Sequence, residues 1–337
     1  MAAERARGSV DHALRERRVY PQGSGVRYAR RMTQTGVHPA ARAARQEVVL
    51  GVVGGSGLYA IEGLADAREV ALETPFGAPS DVYVTGTLPR DGGAPVRAVF
   101  LPRHGRGHVL MPTEINYRAN IHGFKQLGVT HLVSVSAVGS LREAIAPGHI
   151  VVPDQFIDRT SRRIGTFFGD GVVAHVQMGD PVCPLLRGRL LAASRAEGAT
   201  VHDGGTCIVM EGPAFSTRAE SELYRSWGAS VIGMTALPEA KLAREAEIAY
   251  AMLALSTDYD CWHVSEAQVT VEAVVAVLMQ NVALSRRVLQ RVAAGLPATT
   301  SELPYPRALE HAIITAPERI PAATRARLDL ILGHCLP

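Results

Sequence analysis

Cysteine is scarce in this chain, and Cys183, Cys207, Cys261 and Cys335 are the whole supply. None stands in a CxxC pair, which argues against a zinc ribbon or a disulfide framework and leaves reduced thiols as the simplest reading. Lysine is scarcer still: only Lys125 and Lys241 occur, so arginine carries nearly all the positive charge. No apolar run approaches the roughly 18 residues that span a bilayer, and the N-terminus has no apolar signal core. A soluble, cytoplasmic protein without a membrane partner is expected. Walker A and GxGxxG loops are both missing, so ATP and NAD receive little support. There is no internal repeat. What is present is an ordinary globular composition, 337 residues with 47% hydrophobic and 20% charged, enough for one large α/β domain or two smaller ones.

The net charge of +3 is unevenly placed. Residues 1–46 hold ten arginines (Arg5, Arg7, Arg15, Arg17, Arg18, Arg27, Arg30, Arg31, Arg42 and Arg45) against Glu4, Asp11 and Glu16, about +7 locally. Such an arm either binds nucleic acid or an anionic surface, or is a disordered leader in an Arg- and Ala-rich background. The interleaved aromatics of single-strand binders are missing, so the leader reading is preferred and nucleic acid is not expected as a partner. Met32 is an alternative start.

From about Glu47 to Leu296 strand-like and helix-like segments alternate, which predicts a single three-layer α/β domain, a central mixed sheet flanked by helices. Strands are expected at 48–53, 81–88, 96–101, 130–137, 149–157, 206–210, 230–235 and 249–257. Helices are expected at 112–127, after the capping box Thr217-Arg218-Ala219-Glu220, at 238–247, and at 271–294, which is apolar on one face. Residues 297–337 read as a linker followed by a helical segment with proline breaks. Polar groups recur where strands end: Ser56, Arg103-His104, Ser136, Glu211, Thr235 and Asp258. Open α/β sheets bind ligands at the carboxyl ends of their strands, so these groups are expected to share one cleft.

Three stretches carry chemistry. Gly54-Gly55-Ser56-Gly57 offers successive backbone N–H groups and a hydroxyl, either an anion nest or simply a tight turn. Arg103-His104-Gly105-Arg106-Gly107-His108 pairs a guanidinium fork that matches two phosphate oxygens with an imidazole that titrates near neutrality. Its bland alternative is a solvated basic turn. Asp258-Tyr259-Asp260 emerges from an apolar strand, where desolvation raises a carboxyl pKa and makes a proton donor near pH 7. Two carboxyls at i and i+2 can meet the ring nitrogen and exocyclic amine of one heterocycle. A metal site with His263 and Glu266 is a rival, although the spacing matches no standard metal motif. A helix cap with a surface charge is another.

The segments GVVGGSGLY, TPFGAPSD, LPRHGRGH, MPTEINYRANI, SAVGSLREAIAPGHIVVPDQFIDRT, EGPAFSTRAES, WGASVIGMTALPEAKLAREAEI and STDYDCW occur in one order from Val48 to Leu296. In these the chain resembles the 5′-methylthioadenosine phosphorylases, of the trimeric branch of the purine nucleoside phosphorylase superfamily. That resemblance implies a phosphate pocket of Ser56, Arg103, His104, Ser136, Ala137 and Thr235. It implies that Phe215 and Met234 pack on base and ribose, that Asp258 addresses N7 of adenine, and that Asp260 addresses the 6-amino group. His108 and Met111 would lie beside the pocket, and His175 would reach a neighbouring subunit's 5′ pocket in a homotrimer. Val271, Val274 and Val275 would line that slot, although a valine-rich helix face is equally a core face. Ser56 and Ser136 stand where the family often has Thr, and Val138 where it often has Cys; the hydroxyls are kept. The implied reaction is phosphorolysis of 5′-methylthioadenosine, with inorganic phosphate as co-substrate and no metal or organic cofactor.

Alternatives are a phosphorylase for inosine and guanosine or for another 5′-modified adenosine, a hydrolytic nucleosidase, and a non-catalytic purine- or nucleic-acid-binding protein. Asp258, where 6-oxopurine enzymes place Asn, favours a 6-aminopurine.

Overall fold

Val49–Gly54 (β1) is buried at every position, as an apolar run must be when helices cover both faces of a parallel sheet. In the computed structural model, which describes residues 46–55, 63–263, 271–300 and 307–336, β1 lies between two parallel neighbours. These are Val96–Pro102 (β4), with Gly54 opposite Pro102, and His131–Ser140 (β5), with Gly54 opposite Val135. A later strand, Ala249–Asp258 (β11), runs parallel to β5 and sets Asp258 opposite Gly139. Four parallel strands therefore deliver their carboxyl ends to one edge of the sheet.

Ala65–Val70 (β2) and Tyr83–Leu88 (β3) extend the sheet antiparallel beyond β4. On the other side β5 forks. Its length pairs with β11, while its last residues pair antiparallel with Val231–Gly233 (β10), Ile232 facing Gly139. The sheet continues through Thr206–Met210 (β9) to Gln155–Arg159 (β7), and Ile150–Val152 (β6) and Val201–Asp203 (β8) attach beyond β11. The described residues thus form an 11-stranded mixed sheet.

Alternate side chains of β1 enter two separate cores. Val49 and Val53 join Ile121 and Phe124 of helix Tyr117–Gln126 (α1) and Ala240 and Leu242 of Ala236–Glu245 (α4). Leu50 and Val52 join Leu186 and Leu190 of Pro184–Ala196 (α2) and Val288 and Leu289 of the later helix Val271–Ala294. The helices thus form a layer on each face of the sheet, giving the three-layer architecture expected from the sequence. Between β9 and β10, Arg218–Ser226 (α3) opens with the predicted capping box: Thr217 Oγ1 accepts from the Glu220 N–H at 3.2 Å, and the Glu220 carboxylate accepts from the Thr217 N–H at 2.8 Å.

Several boundaries differ from expectation. The helix expected over 112–127 starts at Tyr117, because the Asn116 side chain caps it by accepting from the Ala119 N–H. The strand expected over 149–157 is two strands, since Pro153 cannot donate to a ladder and β6 and β7 pair with different partners. Strand β2 and helix α2 were not foreseen. The segment expected to be a linker pairs with the start of β1, Val48 N–H to Ala298 O and Thr300 N–H to Gln46 O. Val271–Ala294 is numbered α5, and Ala322–Arg327 (α6) and Asp329–Leu332 (α7) follow it. Leu309, Leu328, Ile331 and Leu332 are buried in the same core as Phe124. The basic arm through residue 45, Ser56 and Glu266 lie outside the described residues. No helix among the described residues is long and apolar enough to cross a membrane.

Gly123 of α1 faces Tyr83, whose hydroxyl donates to Asn120 O at 2.8 Å, and an added Cβ would be driven into that phenol. Gly123→Ala should destabilise the chain by about 1–3 kcal/mol in chemical denaturation, as over-packed cores do. Gly188→Ala, in α2 with open space around it, should be neutral or stabilising by about 0.5–1 kcal/mol.

Candidate active site

Arg103 follows β4 directly, and its N–H donates to Gly54 O at 2.9 Å, so it turns off the sheet beside the Gly54-Gly55 loop. Its side chain is 1% exposed. The sequence suggested a fork open to an anion; in the structure most of that fork is occupied. Nε donates to Glu239 Oε1 at 2.5 Å, and Nη2 reaches Glu239 Oε2 at 3.2 Å, Ser134 Oγ at 2.7 Å and Val53 O at 3.3 Å. Nη1 donates to Val135 O at 3.2 Å. A guanidinium has five N–H groups, and the one left uncommitted among the described residues is on Nη1. Burial works against the Arg103 charge, but the adjoining Glu239 carboxylate outweighs it and pushes the pKa up.

His104 is buried beside it and stacks on His108, ring centroids 4.1 Å apart. Its Nδ1 lies 2.8 Å from Leu110 O, which can only accept, so Nδ1 carries the proton and Nε2 is the free face. Burial and the Arg103 charge bring its pKa down to about 4, so the ring is neutral at pH 7 rather than titrating there. Ser136 and Ala137 lie on β5, and Ser136 Oγ is 3.4 Å from Oγ1 of Thr235, which leads into α4. Arg103 on Val135 O, next to Ser136, and Ser136 on Thr235 bring Arg103, Ser136 and Thr235 together, with His104 and Ala137 adjacent to them in the chain.

The other end is built by β11. Asp258 Oδ1 accepts from the Asp260 N–H at 2.8 Å, and Oδ2 accepts from the Thr257 hydroxyl at 2.7 Å. Thr257 Oγ1 is also 3.2 Å from Val138 O, so its single proton has two acceptors to choose between. Burial raises the Asp258 pKa against the pull of the Thr257 and Asp260 donors. Asp260, at φ 52°, sits in the left-handed region and is also raised by burial. The Ser221 and Ser216 hydroxyls neighbour its carboxylate and oppose that rise, although neither Oδ2 nor Ser221 Oγ completes a well-formed hydrogen bond. A ligand N–H could complete the set of donors to Oδ2. Cys261 Sγ contacts Ser216 O at 3.2 Å, which holds the 211–216 loop, with half-exposed Phe215, against this end. Gly139 makes the carboxylates' seat: a Cβ there would lie 3.0 Å from Asp258 Oδ1 and 3.3 Å from Asp260 Cβ.

Strand β5 joins the two ends. Ser136 beside Thr235 and Gly139 beside Asp258 are three residues apart, about 10 Å at strand rise. Met234 lies between them, and Gly212 approaches it so closely that a Cβ would meet its sulfur at 2.6 Å.

Sequence reasoning missed two side chains that hold this arrangement. Glu239 sits on α4, 2% exposed, and looked like one charge among several on a helix. Arg163, also buried, donates through Nη1 to Tyr117 Oη, Met234 O and Leu237 O, and through Nη2 to Glu211 O. Its Nε meets Glu211 Oε1 at 3.0 Å. Glu211, read as a cleft group, instead anchors this loop, accepting as well from the Ser161 and Arg162 N–H groups. A buried charge leaves no trace in composition, so neither residue had a signal beyond its place in a motif.

The remaining expected residues are spread more widely. His108 and Met111 are exposed on the loop past His104. His175 is exposed on a segment hydrogen-bonded to Ala312 O and is not brought into this chain's cleft contacts. His263 pairs with Glu143 Oε1 at 3.2 Å and stacks on Tyr259. The α5 backbone includes Val271, Val274 and Val275, whose side chains lie outside the described set.

Residues 49–294 match the Phosphorylase superfamily. The chain is 62% identical over 288 residues to the S-methyl-5′-thioadenosine phosphorylase of Geobacter sulfurreducens, covering 85% of this chain and 99% of that protein. It is 56% identical over 291 residues to the Synechocystis sp. enzyme of the same name, covering 86% and 88%. Among solved structures, a methylthioadenosine phosphorylase from an antarctic soil metagenomic library is similar with a TM-score of 0.77 and 46% identity, over 85% of this chain and all of that one. Methylthioadenosine phosphorylase from Schistosoma mansoni, in complex with adenine, gives 0.69 and 37%, over 74% and 91%.

The raised Asp258 pKa has a consequence for stability. A raised carboxyl contributes fully below its ordinary value of 3.8 and loses that contribution as pH climbs through the folded value. Asp258→Asn, which stays neutral, should therefore gain thermal stability relative to the parent as pH rises from acid toward neutral. Parallel melts across that range that fail to diverge would contradict the raised pKa.

Proposed function

Because the chain belongs to the Phosphorylase superfamily and, within it, to the S-methyl-5′-thioadenosine phosphorylases, we propose a division of labour among its residues for the reaction it catalyses. That reaction is a pentosyl transfer: phosphate and 5′-methylthioadenosine give adenine and 5-methylthioribose 1-phosphate. The observation that carries the assignment is β5, which brings Ser136 beside Thr235 and Gly139 beside Asp258 on one strand.

Phosphate is held by Ser56, the free Nη1–H of Arg103, His104, Ser136, Ala137 and Thr235. A neutral His104 offers its Nε2 as an acceptor, which suits the P–O–H of a hydrogen phosphate dianion. Phe215 and Met234 face the base and sugar. Asp258 donates a proton to N7, and Asp260 Oδ2 accepts from the 6-amino group. As the C1′–N9 bond breaks, its electron pair goes to the purine and N7 protonation makes adenine a neutral leaving group. A phosphate oxygen forms the new bond to C1′, and Asp258 is reprotonated from solvent. The Thr257 hydroxyl follows the change, turning from Val138 O to the Asp258 carboxylate once the proton has left. General-acid help of this kind is worth about 10²–10⁴ in rate, and prior placement of phosphate adds an orientation term. No cofactor takes part.

The 5′ methylthio group occupies an apolar slot lined by Val271, Val274 and Val275, with His108 and Met111 near its mouth. We place His175 in the neighbouring subunit's slot within a cytoplasmic homotrimer. Support comes from its exposure, next to Val173 at 49% and near Ile314 at 65%, apolar side chains suited to burial between subunits.

Asp258→Asn should lower adenine release by about 10²-fold or more and move preference toward 6-oxopurines. Following adenine against hypoxanthine release with and without phosphate checks this, and full adenine release without phosphate would overturn phosphorolysis. Light scattering should give a trimer, and His175→Ala should raise the nucleoside KM while leaving the phosphate KM unchanged.

A further inference from the structure

Glu239 touches neither of the cleft ends through a ligand-facing atom, yet it holds the group assigned to phosphate. Both oxygens of its carboxylate face Arg103, Oε1 at 2.5 Å from Nε and Oε2 at 3.2 Å from Nη2. Ser134 closes the arrangement: its Oγ accepts from Nη2 at 2.7 Å and donates to Glu239 Oε2 at 3.0 Å. The Tyr250 hydroxyl donates to the same oxygen at 3.4 Å. All four side chains are buried.

The consequence is geometric. A guanidinium is planar, so fixing its Nε–Nη2 edge on a carboxylate fixes the direction of both Nη1 hydrogens. One of these goes to Val135 O, leaving the other with a single orientation. We infer that Glu239, seconded by Ser134, is a positioning residue for the phosphate site: it aims at the anion the one N–H of Arg103 left uncommitted among the described residues. The inference rests on Arg103 being a phosphate ligand. The carboxylate also carries charge, and the two roles predict opposite signs. A residue that merely mutes the Arg103 charge would, when neutralised, let phosphate bind more tightly. A positioning residue would, when altered, let phosphate bind more weakly.

The experiment is steady-state kinetics of the full chain, varying phosphate at saturating 5′-methylthioadenosine and the reverse. Glu239→Gln should raise the phosphate KM by about tenfold or more and leave the nucleoside KM within about twofold. Ser134→Ala, which removes only a hydroxyl and keeps the ion pair, should raise the phosphate KM by about two- to fivefold. It tests the idea even where Glu239→Gln fails to fold. In an Arg103→Ala background Ser134→Ala should change the phosphate KM no further, because its effect runs through the arginine. A fall in phosphate KM in Glu239→Gln, equal changes in both KM values, or no change in Ser134→Ala would each overturn the inference. An unchanged phosphate KM in Arg103→Ala would overturn the Arg103 assignment itself, and the inference with it.

Discussion

The site depends on the fixed spacing along one buried strand. Between Ser136 and Gly139, β5 passes from the Arg103 and Thr235 neighbourhood to the Asp258 neighbourhood, paired with β11 along the way and with β10 at its end, β1 having paired with it as far as Val135. A strand held in such a ladder cannot slide by one residue without turning its side chains to the other face. The distance between Ser136 and Gly139 is therefore a property of the sheet, and the loops supply groups at each end.

Burial is used in opposite senses at the two ends. Arg103 is buried with a carboxylate against it and stays charged; losing either partner would leave an uncompensated charge, a costly state for a protein interior. Asp258 and Asp260 are buried with each other and a few neutral donors, and burial moves both toward the neutral form. A permanent cation near one end of that stretch of β5, and carboxyls shifted toward the neutral form near the other, follow from which side chain each was given as a neighbour.

Much of this was legible before any coordinates. Apolar runs closed by polar residues located β1, β4, β5 and β11, and the expected desolvation of Asp258 and Asp260 at the end of so apolar a strand matches the rise in both pKa values. The capping box at Thr217 marked a helix start correctly because it is a local device with local hydrogen bonds. What stayed hidden depended on long-range pairing. Arg103 and Glu239 are 136 residues apart, so nothing in either segment shows that the fork is already occupied. The low pKa of His104 comes from burial and from the Arg103 charge, which a basic, glycine-rich stretch does not suggest. Strand β2 escaped because it is exposed nearly throughout and has no apolar pattern to read.

Arg163 holds the backbone of two segments that meet where Gly212 approaches Met234, donating to the carbonyl of Glu211 and to those of Met234 and Leu237. Neither segment can be re-aimed without breaking bonds to the same cation, so the two behave as one rigid jaw. Divergence of this scaffold toward new nucleosides is thereby channelled into exchanging side chains along the jaw, and backbone reshaping there is the least accessible evolutionary route.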